Sequence, residues 1–356
     1  MKNIESDHFI SHALILWYEK HKRELPWRNT KDPYIIWISE IILQQTRVNQ
    51  GLDYFLNFIN LFPDVNSLAS ASEDEVMKSW QGLGYYSRAR NLHQAAKDIM
   101  SKFNGNFPKN YADIISLKGI GEYTAAAIVS FVFDAPYAVV DGNVFRVLSR
   151  LFSIDTPIDS TLGKKMFYEL AKKILNPKKA GTHNQAIMEF GALQCTPYSP
   201  NCVNCPLNEK CLANSQNKVN QLPVKQGKTK TKDRYFNYFC IVNEDFTFLR
   251  KRTGKDIWKN LYELPLIETP SQLSFEKLLL LPEFKKMFPD FNEYFFQNQH
   301  TQKHILSHQI IHATFYKAII TGENEFFNAE YLKIPISELH NYAVSQLIHN
   351  YLDKLL

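Results

Sequence analysis

Two parts of different fold class are predicted for this chain of 356 residues: an all-α first part and an α+β second part. Three observations carry the division. Helix-compatible apolar patterning runs from about residue 6 to 212 with few strand signals. Residues 213–233 are poor in large apolar groups. Beyond Arg234 the composition shifts to short runs of β-branched and aromatic residues. With 45% hydrophobic residues, the chain can bury two ordinary cores.

In the first part, Asp32-Pro33 is an N-cap followed by a first-turn proline, and Tyr34 to Ile59 is long, apolar and free of breakers. Further helices are predicted around Glu73–Trp80, Ser87–Phe103, Tyr111–Ser116, Tyr123–Phe133, Val144–Leu151, Gly163–Ile174 and Asn184–Leu193. In residues 213–233 the basic run Lys225, Lys228, Lys230, Lys232 and Arg234 reads as a solvated linker in preference to a phosphate-contacting arm. Strands are predicted at Tyr235–Val242, Thr247–Lys251 and Ala313–Thr321. The net charge of +5 suits a polyanionic partner without requiring one. No stretch has the length of an apolar membrane span, and Met1 to Ile10 lacks the apolar core of a secretory signal, so a cytoplasmic location is expected.

Four of the five cysteines form the series Cys195-x6-Cys202-x2-Cys205-x5-Cys211. In a reducing compartment such crowding points to metal rather than disulfides. Four thiolates in so short a span can wrap a cubane of iron and sulfide. A structural zinc usually shows two Cys-x2-Cys knuckles, and only Cys202 and Cys205 form one. Cys240, in Tyr238–Val242, is a small buried hydrophobe on a strand.

Leu117-Lys118-Gly119-Ile120-Gly121 joins two helices through a glycine turn. Gly119 and Gly121 let the backbone approach a ligand, and the following helix N-terminus favours a phosphate. A plain helical corner with a glycine cap fits the same residues equally well.

Two carboxylates stand out. Glu40 is set among Ile35 to Leu43, where an unpaired carboxyl resists ionisation and becomes a proton donor near neutral pH. A solvent-facing stripe is the plainer account. Asp141, in Val140-Asp141-Gly142-Asn143, ends an apolar run and caps a helix. The helix N-terminus also helps to keep it ionised, so cap and electrostatic roles are compatible.

The motifs together resemble one family. Leu25-Pro26-Trp27-Arg28, then Ser39 to Thr46, then Val140-Asp141-Gly142-Asn143-Val144-x-Arg146, the Leu-x-Gly-x-Gly hairpin and the cysteine series are all similar to the MutY-type adenine DNA glycosylases of the helix–hairpin–helix, endonuclease III superfamily. The resemblance covers nearly the whole chain, closely over 17–212 and loosely over 235–356. It implies a multidomain protein: an all-α helix–hairpin–helix glycosylase fold with a 4Fe–4S loop, plus a C-terminal α+β MutT/Nudix-like domain. The implied layout is a catalytic region at 1–212, a linker at 213–233 and a recognition domain for 8-oxoguanine at 234–356. The catalytic region divides into a six-helix domain at about 30–135 and an iron–sulfur domain from 1–29 and 136–212.

By the same resemblance the chain removes adenine mispaired with 8-oxoguanine or guanine in double-stranded DNA, by flipping the base. Glu40 protonates N7 of the extruded adenine and guides water. Asp141 stabilises the oxocarbenium-like sugar or captures it covalently, as in glycoside hydrolysis. Asn143 orients the pair. Tyr123 stands where lyase relatives carry a lysine, so a monofunctional enzyme is expected. Cys195, Cys202, Cys205 and Cys211 hold one 4Fe–4S cluster, and hairpin carbonyls near Lys118 and Ile120 hold a monovalent cation. Arg23, Leu25, Trp27, Arg28 and Gln185 line the adenine pocket. Gln45 and Tyr85 wedge into the duplex, and Gln44 and Thr46 lie near the opposite base.

In the second domain Leu306-Ser307-His308 stands where the family often has Phe-Ser-His. Leu306 lacks the ring that could stack there, and the resemblance implies that Ser307 and His308 hydrogen-bond the oxidised base. His304 and His308 could share a helix face as a weak metal pair, though turn-and-contact roles suit them better. No Nudix box of clustered glutamates follows residue 235, which argues against nucleotide hydrolysis there. A monomer is expected, nucleoid-associated if the source is bacterial. The rival readings are an endonuclease III-like or thymine-mismatch glycosylase and, from another class, a non-catalytic iron–sulfur DNA-binding protein. Tyr123 argues against the lyase, and the Glu40, Asp141 and Asn143 set argues against the non-catalytic protein.

Overall fold

A computed structural model of the chain describes residues 2–227, 231–289, 294–320 and 324–354. Lys228 and Lys230 of the basic run lie outside these. The chain forms two compact units, Met1–Ser70 with Asn91–Gly227, and Ala71–Arg90 with Lys228–Leu356. No helix among the described residues is long and apolar enough to cross a membrane.

The first unit is helical. Its elements are α1 (Lys2–His21), α2 (Pro33–Leu43), α3 (Val48–Leu61) and α4 (Val65–Ser70), then, after α5 (Glu73–Ser79) of the other unit, α6 (Ser87–Phe103) from Asn91 onward, α7 (Tyr111–Ser116), α8 (Glu122–Phe133), α9 (Gly142–Leu151), α10 (Thr161–Ile174) and α11 (Ala180–Leu193). Asp32 caps α2 by accepting the Tyr34 N–H at 2.8 Å, with Pro33 in the first turn. The long apolar stretch from Tyr34 is not one helix. It breaks over Gln44–Arg47, where Gln45 adopts φ 60°. No glycine or proline marks the break; the Gln44 amide instead donates to Thr124 Oγ1 of α8 at 3.1 Å.

The alanines of α8 let its middle sink into the unit, with Thr124 to Phe131 buried and Glu122 and Phe133 exposed at its ends. A second apolar cluster joins α1, α9, α10 and α11 through Leu14, Val147, Leu148, Phe167 and Phe190, and three of the clustered cysteines pack against it. Residues 213–226 differ from the solvated linker expected of them. A short helix, α12 (Leu212–Ser215), and a 3-10 turn at Val219–Gln221 lie on the first unit, and the carbonyls of Val219 and Leu222 accept the buried Arg150 guanidinium at 3.0 and 3.1 Å. Composition hid this because the ties are made by backbone groups.

The second unit is built on a mixed sheet: β1 (Lys232–Asn243), β2 (Phe246–Lys251), β3 (Tyr262–Glu263), β4 (Leu266–Thr269), β5 (Tyr294–Ile305), β6 (Gln309–Ile320) and β7 (Leu332–Pro335). The order is β3-β2-β1-β6-β5, with β4 on β1 and β7 on β2. β1 and β6 run parallel from Lys232↔Gln309 to Val242↔Ile319, and the other ladders are antiparallel. Phe239, Phe284, Phe288, Tyr316 and Phe327 fill the core on one face. His304 lies in β5 and His308 in the turn to β6, so the two do not share a helix face. The period-two alternation of β5 governs His304 and the turn places His308, so no helical period relates them.

Candidate active site

One cavity of about 620 Å³ in the helical unit gathers residues from α2, α8, the N-terminus of α9, α11 and the loop after α1. Glu40, Tyr123, Asp141 and Asn143 line it, together with Arg23, Leu25, Trp27, Arg28, Gln44, Gln45, Thr46, Gly121 and Gln185. The two carboxylates, a hundred residues apart in sequence, therefore face one space.

Glu40 is 8% exposed, on the helix turn that also buries Ile36 and Ile41. Burial pushes its carboxyl up to about 7. The Tyr123 hydroxyl, donating to Oε2 at 2.8 Å, pulls the other way, the Asp141 charge adds to the rise, and Arg28 opposes it. Burial also holds Tyr123 well above its usual value, so it stays a proton donor.

Asp141 is the N-cap of α9. Its Oδ1 accepts the Val144 N–H at 2.8 Å and its Oδ2 accepts the Asn143 amide at 2.8 Å. Burial raises its pKa too, but these two donors and the Arg146 charge work against that rise. Both carboxyls are raised by burial, but Asp141 has more donors to hold its charge, while Glu40 has the Tyr123 hydroxyl alone and keeps its proton to about 7. That asymmetry separates an anion from an acid in one site.

The cap is wired to the cysteine loop. Arg146 donates to Asn143 Oδ1 at 2.8 Å, to Gly191 O at 2.5 Å and to Cys195 O at 2.8 Å. A Cβ on Gly191 would stand 2.7 Å from Asn143 Cβ, so only glycine lets α11 approach α9 this closely. One turn on, Arg150 is 2% exposed and donates to Cys195 Sγ at 3.4 Å, Thr196 O at 2.7 Å and Pro197 O at 3.0 Å.

The four cysteines line a common small cavity with Arg150. Among the described residues no group of three or more His, Cys, Asp or Glu side chains is gathered to hold a single metal ion. Thiols ranged round a shared space, with a buried guanidinium against one sulfur, fit a multinuclear anionic cluster better than one tetrahedral ion.

Sequence reasoning missed Glu189. It is 1% exposed on α11, and both Arg23 and Arg28 clamp it, Arg23 through Nε at 2.8 Å and Arg28 through Nη1 at 2.8 Å. Burial favours its neutral form, but the two guanidinium groups outweigh this and hold it at about 2. Glu189 carries the same signal that marked Glu40, a lone carboxylate among apolar neighbours. Its two partners, over 160 residues away, could not be read locally. Tyr18, which donates to Gln185 at 2.7 Å and lies under Arg28, was likewise missed.

Gly119 in the hairpin has φ 80°, and a Cβ there would stand 2.5 Å from Asn91 Cβ. Gly121 has an ordinary φ of −96° as the N-cap of α8, with open space beside it. Gly119→Ala is expected to lower the unfolding free energy by about 1–3 kcal/mol, seen as an earlier urea midpoint. In the second unit Tyr85 is 47% exposed, at φ 47°, and Ser307 and His308 are exposed in the β5–β6 turn.

A cavity with two unequal carboxylates beside a glycine hairpin suits acid-assisted cleavage of a glycosidic bond, and the chain's relatives place it among the enzymes that remove bases from DNA. Residues 38–177 match the HhH-GPD superfamily of base excision DNA repair proteins, and residues 237–354 match the NUDIX domain. An adenine DNA glycosylase of Buchnera aphidicola subsp. Acyrthosiphon pisum is 35% identical over 329 residues, covering 92% of this chain and 91% of that one. The structure of a thermostable thymine-DNA glycosylase aligns with TM-score 0.56 at 26% identity, over 61% of this chain and 100% of that one. A non-covalent endonuclease III–DNA complex aligns with TM-score 0.51 at 21% identity, over 60% and 97% respectively, which shows the fold. The chain belongs to the adenine DNA glycosylase family. It is accordingly a DNA glycosylase with DNA as its partner, acting in base excision repair.

Proposed function

We propose that this glycosylase hydrolyses the N-glycosidic bond of adenine mispaired with 8-oxoguanine or guanine, without lyase activity. The observation that carries the chemistry is the Glu40 carboxyl, raised to about 7 and hydrogen-bonded by Tyr123, in one cavity with Asp141. Glu40 donates its proton to N7 of the flipped adenine. Electrons of the glycosidic bond then leave with a neutral base, and the sugar becomes oxocarbenium-like. Asp141 faces that developing cation with a carboxylate already bonded by Val144 and Asn143, so little reorganisation is needed. Water, deprotonated by the Glu40 carboxylate that the first step leaves, completes hydrolysis.

Tyr123 has no amine and its hydroxyl is committed to Glu40, which supports hydrolysis without a Schiff base. Gln45 and Tyr85, read as the wedge, are both non-glycine residues with left-handed backbones. Such backbones also occur at ordinary turns of this chain, for example Asn104 and Ser153, so they are compatible with the wedge reading and do not carry it. Cys195, Cys202, Cys205 and Cys211 are the residues that would hold one 4Fe–4S cluster, and when bound it supplies a structural anchor for residues 195–211. Through Arg146 that loop steadies Asn143 and the α9 cap.

Single-turnover release from a duplex with adenine opposite 8-oxoguanine tests the reading, sampled with and without hot alkali. Strand breaks only after alkali are expected. Breaks without alkali would mean a lyase nucleophile. No adenine release, with release from a thymine mismatch instead, would overturn the substrate.

A further inference from the structure

In the second unit the Tyr85 hydroxyl meets Ser307 Oγ at 2.5 Å. The two residues were read separately, one as a wedge and one as a reader of the oxidised base, yet here they bond to each other. We propose that Ser307 is a positioning residue for Tyr85: its hydroxyl latches the tyrosine ring in the orientation from which it enters the duplex. This rests on the reading of Tyr85 as the wedge.

The turn around Tyr85 is built to hold a ring in place. Gly82 and Gly84 have φ of 96° and 72°, and Tyr85 follows them into the left-handed region. The buried Trp80 donates through Nε1 to Gly84 O at 3.2 Å, and Arg88 donates to the same carbonyl at 3.3 Å. The Arg88 guanidinium also lies over the Tyr85 ring, 5.6 Å from its centre. The ring is thus restrained at its face by Arg88 and at its rim by Ser307.

Both ends of the latch are fixed. Ser307 sits in a turn closed by Leu306 N–H to Gln309 O at 2.8 Å and by Lys232 N–H to His308 O at 3.0 Å. Residues 71–90 are tied to the rest of the unit along their length. Asp74 accepts Lys251 Nζ at 2.5 Å and the Tyr262 hydroxyl at 2.9 Å, Glu73 accepts the Asn260 amide at 2.6 Å, and Arg90 donates to Lys259 O at 2.8 Å. An exposed bond between two loose side chains would be worth little. Here both backbones are anchored, so the bond costs less ordering and fixes one long side chain.

The latch predicts an effect that direct reading of the oxidised base does not: it should operate whichever purine faces the adenine. The test is a double-mutant cycle in the full-length chain with Ser307→Ala, Tyr85→Phe and the pair, on duplexes with adenine opposite 8-oxoguanine and opposite guanine. Duplex affinity is measured, and fluorescence of 2-aminopurine beside the target reports unstacking. Each single change is expected to weaken binding about three- to tenfold on both duplexes and to lower the unstacking signal, with the pair no worse than either. Ser307→Thr, which keeps the hydroxyl, should restore both readouts. A Ser307→Ala loss confined to the 8-oxoguanine duplex and additive with Tyr85→Phe would overturn the latch and make Ser307 a direct reader. So would the absence of any loss in both single variants. If Tyr85→Ala, which removes the ring, leaves unstacking and release unchanged, the wedge reading itself fails.

Discussion

Glu40→Gln is expected to slow single-turnover adenine release by about a thousandfold or more, the upper range for losing a positioned general acid. The side chains are nearly isosteric, and the glutamine carbonyl can still accept the Tyr123 hydroxyl that now donates to Oε2 at 2.8 Å. Mispair binding should survive. Stability should move in the opposite sense to activity. The carboxyl is raised by burial from an ordinary 4.5 to about 7. Below the unfolded value, both states hold the proton and parent and variant are equal. As pH rises from 4.5 to about 7, the unfolded chain ionises while the folded one does not, and the parent loses stability relative to glutamine. Above 7 the gap is on the order of 3 kcal/mol in favour of the variant. Urea titrations at acid and alkaline pH check this. A variant less stable than the parent at alkaline pH would mean that Glu40 holds the fold rather than carries a proton. In the parent, release should fall as pH rises through about 7, because the deprotonated carboxylate cannot act as the acid.

The features legible in the sequence are those whose cause is local. Asp32-Pro33 needs only its own helix to be a cap. The glycine hairpin needs one backbone in the left-handed region, and the cysteine series announces itself by spacing. Glu40 was legible because its neighbours along the helix are the groups that bury it. The break at Gln44–Arg47 was not, since what ends α2 there is a strained Gln45 and a tie to Thr124, eighty residues on. Glu189 needed two arginines from near the N-terminus, and residues 213–226 needed the buried Arg150. Polar groups satisfied over long sequence distances leave no periodicity to find. The geometry of a site is decided by such pairs even when its chemistry is visible in short motifs.

Asp141→Asn should be the cleaner separation of charge from structure, with release down by about a thousandfold or more and folding little changed. Asparagine is as good an N-cap as aspartate, so its carbonyl can keep the Val144 N–H bond now made at 2.8 Å. The other edge then carries an NH2 group toward Asn143 Nδ2, donor against donor, where Oδ2 now accepts at 2.8 Å. Turning the Asn143 amide over would relieve that clash only by facing its NH2 toward Arg146, which now donates to Asn143 Oδ1 at 2.8 Å. One hydrogen bond is lost either way, about 1 kcal/mol of stability, too little to unfold the unit. What disappears is the negative charge at the developing sugar cation. The same loss removes a repulsion toward phosphates, so mispair affinity should hold or tighten while release fails. Duplex binding and release are measured side by side, with cluster absorbance as the control for an intact loop. If binding and release fall together while the absorbance is unchanged, Asp141 is a cap alone, and the charge that stabilises the sugar has to come from another residue in the cavity.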